Sequence, residues 1–389
     1  EGWLTEHMLV LGVRGPKGRI TYFTGAYPSM CGKTSTAMLE GESMIGDDIA
    51  YIRNVDGYAR AVNTERGMFG IIQGVNAKDD PLLWKALHAP NEIIFSNVLV
   101  TEDGGVYWID KGGEVPAKGI NYAGQWYPGK LDANGKQIPP SHPNARFTLS
   151  LKSLDTVDPK LEDPSGVEVG AMVYGGRDSD TWVPVEQAFD WEHGIITKGA
   201  ILESETTAAT LGQVGVREIN PMANIDFLSV TIGKYIQMNL DFARGLKKVP
   251  FIFSVNYFLR DQNGDWLSER SDKAVWYKWM ELRVNGDVQA IDTPTGRIPF
   301  YADLKRLFAE VLKKNYAETD YIRQFTIRIP ENLAKIERAL QFYTTQVTDT
   351  PAIFFDILES QKKRLLAFRD TYGEYPVPTA SGGFTKRSV

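Results

Sequence analysis

The sequence predicts an α/β fold: a mixed central sheet carrying a phosphate-cradling, P-loop-type segment, with C-terminal helices packed onto it. Three observations carry that prediction. The first two thirds of the chain alternate short β-branched and aromatic runs with glycine-rich turns. One such run leads through GAYPSMCGKTST, residues 25–36, into an alanine- and leucine-containing stretch. From Pro299 onward the apolar residues recur at helical spacing.

In chain order, the runs at 8–13, 20–24, 45–52, 92–100, 106–109, 167–174, 194–202 and 249–258 are read as strands. Ser29 to Leu39 carries little β-branching before a glycine at 41 and is read as a helix. Residues 111–143, rich in Gly, Pro, Asn and Lys, are read as a surface excursion from a domain spanning 1–298. Leu304, Leu307, Phe308, Val311 and Leu312, then Leu333, Ile336 and Leu340, then Phe354, Ile357 and Leu358 mark amphipathic helices within 299–376. The last stretch, 377–389, lacks an apolar period and is read as a flexible tail.

Composition narrows the function. The 389 residues are 43% hydrophobic and 24% charged, which suits a globular protein with a large core. A net charge of −6 without any basic run argues against a nucleic-acid partner. The one cysteine, Cys31, excludes an internal disulfide and a Cys-rich zinc site, and it fits a reducing, cytoplasmic setting. No stretch approaches the ~20 apolar residues of a membrane span. The N-terminus shows no signal peptide. It opens on Glu1-Gly2-Trp3, without an initiator methionine, and runs into a strand, so a truncated or processed product is expected.

A strand, a tight loop and Gly32-Lys33-Thr34 opening a helix form the pattern that holds polyphosphate. Backbone amides face the anion, Lys33 reaches the outer phosphates, and the Thr34 hydroxyl can ligate magnesium. The standard spacing calls for glycine where this chain has Tyr27, and a chance Gly-Lys-Thr in a surface turn is the plain alternative. Asp47-Asp48 follows an apolar run, the position of a cation-holding carboxylate at a strand's end. The alternative there is a solvated turn. His7, beside Glu6, is either a partly buried polar residue or a ligand. Imidazole and carboxylate donors favour manganese or another first-row ion over calcium.

Taken together, WLTEHM at 3–8, YPSMCGKT, IGDDIAYI, RAVNTERGMFG at 60–70, HPNARF at 142–147, YGGR at 174–177 and ESETTAAT at 203–210 resemble GTP-type phosphoenolpyruvate carboxykinases. The resemblance covers nearly the whole chain, and PSMCGKT with GDDIA is its most specific part. It implies that His7 and Asp48 hold a catalytic manganese with Asp47 beside them, and that Ser29, Met30, Cys31, Gly32, Lys33, Thr34 and Ser35 form the phosphate loop. Lys33 then lies on the transferring phosphate, Thr34 on the magnesium carried by GTP or GDP, and Cys31 matches a reactive loop cysteine. Ser29, Asn144 and Arg146 match substrate contacts, and Arg146 also meets the phosphate in flight. Arg177 matches a second phosphate-neutralising arginine. Phe258 and Trp266 stand at the base pocket. Residues from Thr206 through Thr207, Ala208, Ala209 and Gly212 to about Val216 match a lid. The implied reaction converts oxaloacetate and GTP to phosphoenolpyruvate, GDP and carbon dioxide, in gluconeogenesis, by a monomer.

This chain departs from that family at several points. A lysine metal ligand and a substrate-binding arginine lie upstream of His7 in the family layout, so the resemblance implies a missing upstream half and weak or no activity alone. Residues 266–273 lack a phenylalanine and an asparagine of the usual guanine pocket, which leaves a pyrophosphate- or ATP-dependent carboxykinase, or a non-catalytic nucleotide-binding module, as alternatives. Glu203 stands where an arginine is usual, and Ser35 where an asparagine is.

Overall fold

The computed structural model describes residues 2–78, 80–206 and 216–386. They fall into two compact units, one of Glu1–Thr64, Asp158–Glu205 and Gly215–Val389, the other of Glu65–Val157 and Thr206–Val214.

The larger unit is organised by one strand, Val167–Gly175, whose residues are buried almost without interruption. A strand covered on both faces needs a continuous apolar run, not an alternating one, and GAMVYG supplies it. It pairs in parallel with Ile20–Ala26 on one side and Phe251–Val255 on the other. Its first residues also pair antiparallel with Tyr58–Asn63, so the sheet is mixed, as expected from the sequence. Met8–Arg14 runs antiparallel between Ile20–Ala26 and Ser43–Gly46. Ala50–Val55 joins Tyr58–Asn63 to the short strand Leu4–Glu6.

The helix Lys273–Val284 packs on this sheet. Trp276, Tyr277, Trp279 and Met280 are all fully buried, so the helix is apolar on most of its circumference. Trp279 meets Phe253 edge-on at 5.9 Å, and Tyr277 meets Phe23 at 5.7 Å. The C-terminal periodicities form helices at Tyr301–Leu307, Ile329–Thr345 and Ala352–Tyr372.

Several expectations are corrected. Residues 194–202 are not a strand: Trp191–Gly194 and Ile195–Ala200 are helical turns, buried except at Glu192. Even Thr197 and Lys198 are buried here, so no polar face marks a helical period and burial hid the helix. The run at 45–52 is two strands, with Asp47-Asp48 in the break between them. The run at 92–100 is likewise broken, into Ile93–Ser96 and Leu99–Val100, at Asn97 with φ of 60°. The helix expected from Ser29 is confined to Lys33–Ala37. The segment expected as a tail pairs Val377–Pro378 with Phe384–Thr385, and Phe384 packs edge-on to Phe368 at 5.0 Å. Residues 387–389 lie outside the described part.

In the smaller unit, Arg146–Ser150 pairs with Gly67–Ile71 and Ile93–Ser96. The glycine-rich excursion belongs with these strands. It adds a second small sheet whose core is Leu99, Tyr107, Trp126 and Ile138.

Gly175 tests how tightly the larger core is set. A Cβ at this position would overlap the ring of Tyr27. Gly175→Ala is expected to destabilise the chain by about 2–3 kcal/mol in urea unfolding, in the range of overpacked cores.

Candidate active site

The loop between Ile20–Ala26 and Lys33–Ala37 turns through two left-handed residues, Met30 at φ 59° and Gly32 at φ 96°. Gly32 has a second reason to lack a side chain, since a Cβ there would lie 3.0 Å from the Tyr257 ring. The unexpected Tyr27 does not face the loop's interior. It is buried, with its hydroxyl 2.7 Å from that of Tyr277 and 3.1 Å from that of Tyr257. The Tyr257 hydroxyl in turn lies 3.1 Å from Thr36 Oγ1, in the helix that ends the loop. A chain of hydroxyls therefore braces the loop from beneath, where the standard pattern has only glycine. Ser35, the other departure here, bonds Gly32 O at 3.2 Å and receives Lys273 Nζ at 2.7 Å.

Lys33 Nζ reaches both Asp48 Oδ1 and His7 Nε2. His7 stands between Leu4–Glu6 and Met8–Arg14, and Asp48 in the break after Ser43–Gly46. Three separate segments thus meet at one ammonium. His7 Nδ1 donates to Ala223 O at 2.9 Å, which leaves Nε2 presenting a lone pair 3.0 Å from Asp48 Oδ1. Two lone-pair donors this close need a cation between them, and Lys33 provides one. Burial pushes the Asp48 carboxyl up, but the Lys33 ammonium, by its charge and by its hydrogen bond, outweighs it and helps hold it at about 2. A nitrogen and an oxygen donor converging on a positive charge suit a first-row divalent ion. Among the described residues, no group of three or more His, Cys, Asp or Glu converges in this way. Asp47 is buried beside Asp48, and Thr34 opens the helix next to Lys33.

The support beneath His7 was not legible in the sequence. Met222 and Ala223 both have φ of 53°, an unfavourable conformation for residues other than glycine, and it is Ala223 that gives its carbonyl to the imidazole. Glu6, one residue before His7, is buried and accepts from the Tyr235 hydroxyl and from Asn224 Nδ2 at 3.3 Å. A Glu-His pair was visible, but nothing local named Tyr235, Asn224 or Ala223, more than 200 positions away.

Arg177 follows the central strand. Its Nη2 donates to Met30 O in the loop at 3.0 Å, and its guanidinium lies 4.0 Å over the Phe258 ring. Its Nε is buried and makes no hydrogen bond among the described residues, a donor suited to an anion. Trp266 meets Phe258 edge-on at 5.8 Å, and Arg260 lies 3.8 Å over Trp266.

The structure therefore brings His7, Lys33, Asp48, Cys31 and Arg177 into one neighbourhood of the larger unit. Asn144 and Arg146 belong to the smaller one, where Arg146 Nε donates to Asn144 Oδ1 at 3.0 Å and its guanidinium covers Phe69 at 5.1 Å. Thr206 is buried there, while Thr207, Ala208, Ala209 and Gly212 lie outside the described residues.

Fold and site together define a phosphate-loop α/β domain in which a histidine, an aspartate and the loop lysine meet. The chain belongs to the phosphoenolpyruvate carboxykinase C-terminal P-loop domain family, which it matches over residues 3–364. It is 59% identical to a phosphoenolpyruvate carboxykinase (GTP) of Thermococcus kodakarensis over 384 residues, 98% of this chain and 61% of that protein. It is 60% identical to the protein of the same name from Pyrococcus abyssi, over 97% of this chain and 61% of that one. The Saccharolobus solfataricus counterpart is 46% identical with the same coverage, 97% and 61%. The chain thus spans about three fifths of the length of the curated relatives it matches. The family resemblance carried by WLTEHM, PSMCGKT and GDDIA holds.

Glu6 gives this site a pH signature. Burial pushes its carboxyl up from 4.5 to about 7, against the lowering hydrogen bonds of Tyr235 and Asn239. A raised folded-state value means the folded chain holds the proton more tightly. The stability it contributes is complete below pH 4.5 and is lost as pH rises through 7. Glu6→Gln is expected to flatten that decline, measured as urea midpoints across the same window.

Proposed function

We propose that this chain supplies the nucleotide-, phosphate- and metal-binding part of a GTP-dependent phosphoenolpyruvate carboxykinase. The reaction takes oxaloacetate and GTP to phosphoenolpyruvate, GDP and carbon dioxide, and the reverse. The observation that carries the reading is Lys33 joining the phosphate loop to His7 and Asp48, with Arg177 on the same loop.

In the forward direction the bond to the departing carboxylate breaks, and its electrons become the C=C of an enolate. The enolate oxygen then attacks the γ-phosphorus as the bond to the GDP oxygen breaks. His7 and Asp48, with Asp47 beside them, would hold manganese, and magnesium would ride on the nucleotide at Thr34. When bound, these ions supply positive charge to the developing enolate and to the phosphates. The chain itself does the placing. The loop from Ser29 to Ser35 cradles the phosphates, Lys33 and Arg177 neutralise the transferring group, and Ser29 orients substrate. Such neutralisation acts mainly in the transition state, where the charge is spread over the moving phosphoryl group. A lid from Thr206 would exclude the water that protonates an enolate to pyruvate.

Phe258 and Trp266 offer aromatic faces for the base. The names of the relatives favour GTP as donor. The missing phenylalanine and asparagine in 266–273 keep a pyrophosphate donor as the second reading.

Calorimetric titration with GDP, ADP and pyrophosphate, with and without manganese and magnesium, separates the two. Metal-dependent GDP binding well above ADP is expected, and Lys33→Ala should weaken it about 10- to 100-fold, the worth of a charge-assisted contact. Pyrophosphate bound in preference to GDP would overturn the GTP assignment.

A further inference from the structure

Glu203 opens the strand Glu203–Glu205, which pairs with Arg217–Ile219. Its carboxylate is 2% exposed, and a charge so buried is costly unless paired. Arg338, on the helix Ile329–Thr345, answers with a two-pronged bond, Nε to Oε1 at 2.7 Å and Nη2 to Oε2 at 2.8 Å. Arg217 Nη1 lies 3.7 Å from Oε2 on the other side. An arginine at 203 would face both of these cations, so glutamate here belongs with Arg338 and Arg217.

What the strand holds is Arg177. The Glu205 N–H donates to the Arg177 carbonyl at 2.9 Å, and the Arg177 N–H donates to Ser204 Oγ at 3.2 Å. Both backbone groups of one residue are clamped by consecutive residues of another strand. Gly176 permits the approach, since a Cβ there would lie 2.5 Å from Glu203 O. The same Ser204 Oγ lies 3.2 Å from Cys31 Sγ inside the phosphate loop. The thiol donates to Ser29 O at 3.5 Å, so the serine hydroxyl gives its proton to sulfur while it accepts from Arg177. Arg177 closes the circuit by donating from its guanidinium to Met30 O.

We infer that Glu203, Ser204 and Arg338 are positioning residues, through which a C-terminal helix sets the placement of Arg177 and the phosphate loop around a bound phosphate. The inference rests on the phosphate-binding reading of the loop. Arg338 fixes Glu203, Glu203 fixes the strand, and Ser204 passes the position to Arg177 and Cys31. None of the three needs to touch the ligand.

The test uses the full chain with Ser204→Ala, Ser204→Thr, Arg338→Gln and the Ser204→Ala/Arg338→Gln double variant. Magnesium pyrophosphate affinity is read by calorimetry, and exposure of Cys31 by its rate of labelling with a thiol reagent. Ser204→Ala and Arg338→Gln are each expected to weaken binding about fivefold, the scale of one hydrogen bond. Each should also speed labelling. Ser204→Thr, which keeps the hydroxyl, should restore both. The double variant should bind no more than about twofold worse than either single one, because both act along one path. Wild-type affinity and labelling in Ser204→Ala, or losses that multiply in the double variant, would overturn the inference. Should the unaltered chain take up no pyrophosphate, the phosphate reading fails by itself. The labelling comparison still decides, and unchanged rates in both single variants sink the positioning role.

Discussion

One ammonium shared between an imidazole nitrogen and a carboxylate oxygen is the constraint on which this region depends. Lys33, His7 and Asp48 come from the first turn of a helix, a break between two strands and a turn after a third. Bringing two lone pairs within 3.0 Å of each other is unfavourable without a positive charge. Each side chain must therefore be held by its own support. His7 is oriented by a carbonyl at Ala223, whose left-handed backbone costs about 1–3 kcal/mol by itself. The strain is tolerable because Met222 and Ala223 are buried, and packing leaves them no alternative.

The loop that carries Lys33 is supported by aromatic residues, not by glycine alone. Tyr27, Tyr257 and Tyr277 bond one another and Thr36. Buried hydroxyls must find partners, and here they find each other. The same logic governs the buried charges nearby. Lys198 meets Glu186, whose other oxygen receives Thr293 at 3.0 Å and Thr295 at 2.6 Å. Full satisfaction makes such pairs tolerable in a core and sensitive to the loss of one member. Glu203 follows this pattern.

Much of the fold could be read from local chemistry. The strands 8–14 and 20–26, the central strand at 167–175 and the long C-terminal helices each have a period or a bounded apolar run. The helical turns at 191–200 escaped because their apolar residues face neighbours on every side, which erases the period. The break at Asp47-Asp48 escaped because apolar residues flank it, and only pairing with different strands ends one and starts the next. The helix Lys273–Val284 escaped for the first reason: its tryptophans point to both the sheet and the later helices.

By itself, the sequence determined the phosphate loop, the acidic pair, the histidine and the family, because each rests on residues adjacent in the chain. Gly32, Lys33 and Thr34 need only their neighbours to make the turn that chemistry requires. Tertiary structure alone decided how these pieces are held. Ala223 serves His7 from 216 positions away, Tyr257 serves Thr36 from 221, and Arg338 serves Glu203 from 135. A carbonyl, a hydroxyl or a guanidinium has no signature as a support until folding sets it within about 3 Å of what it supports.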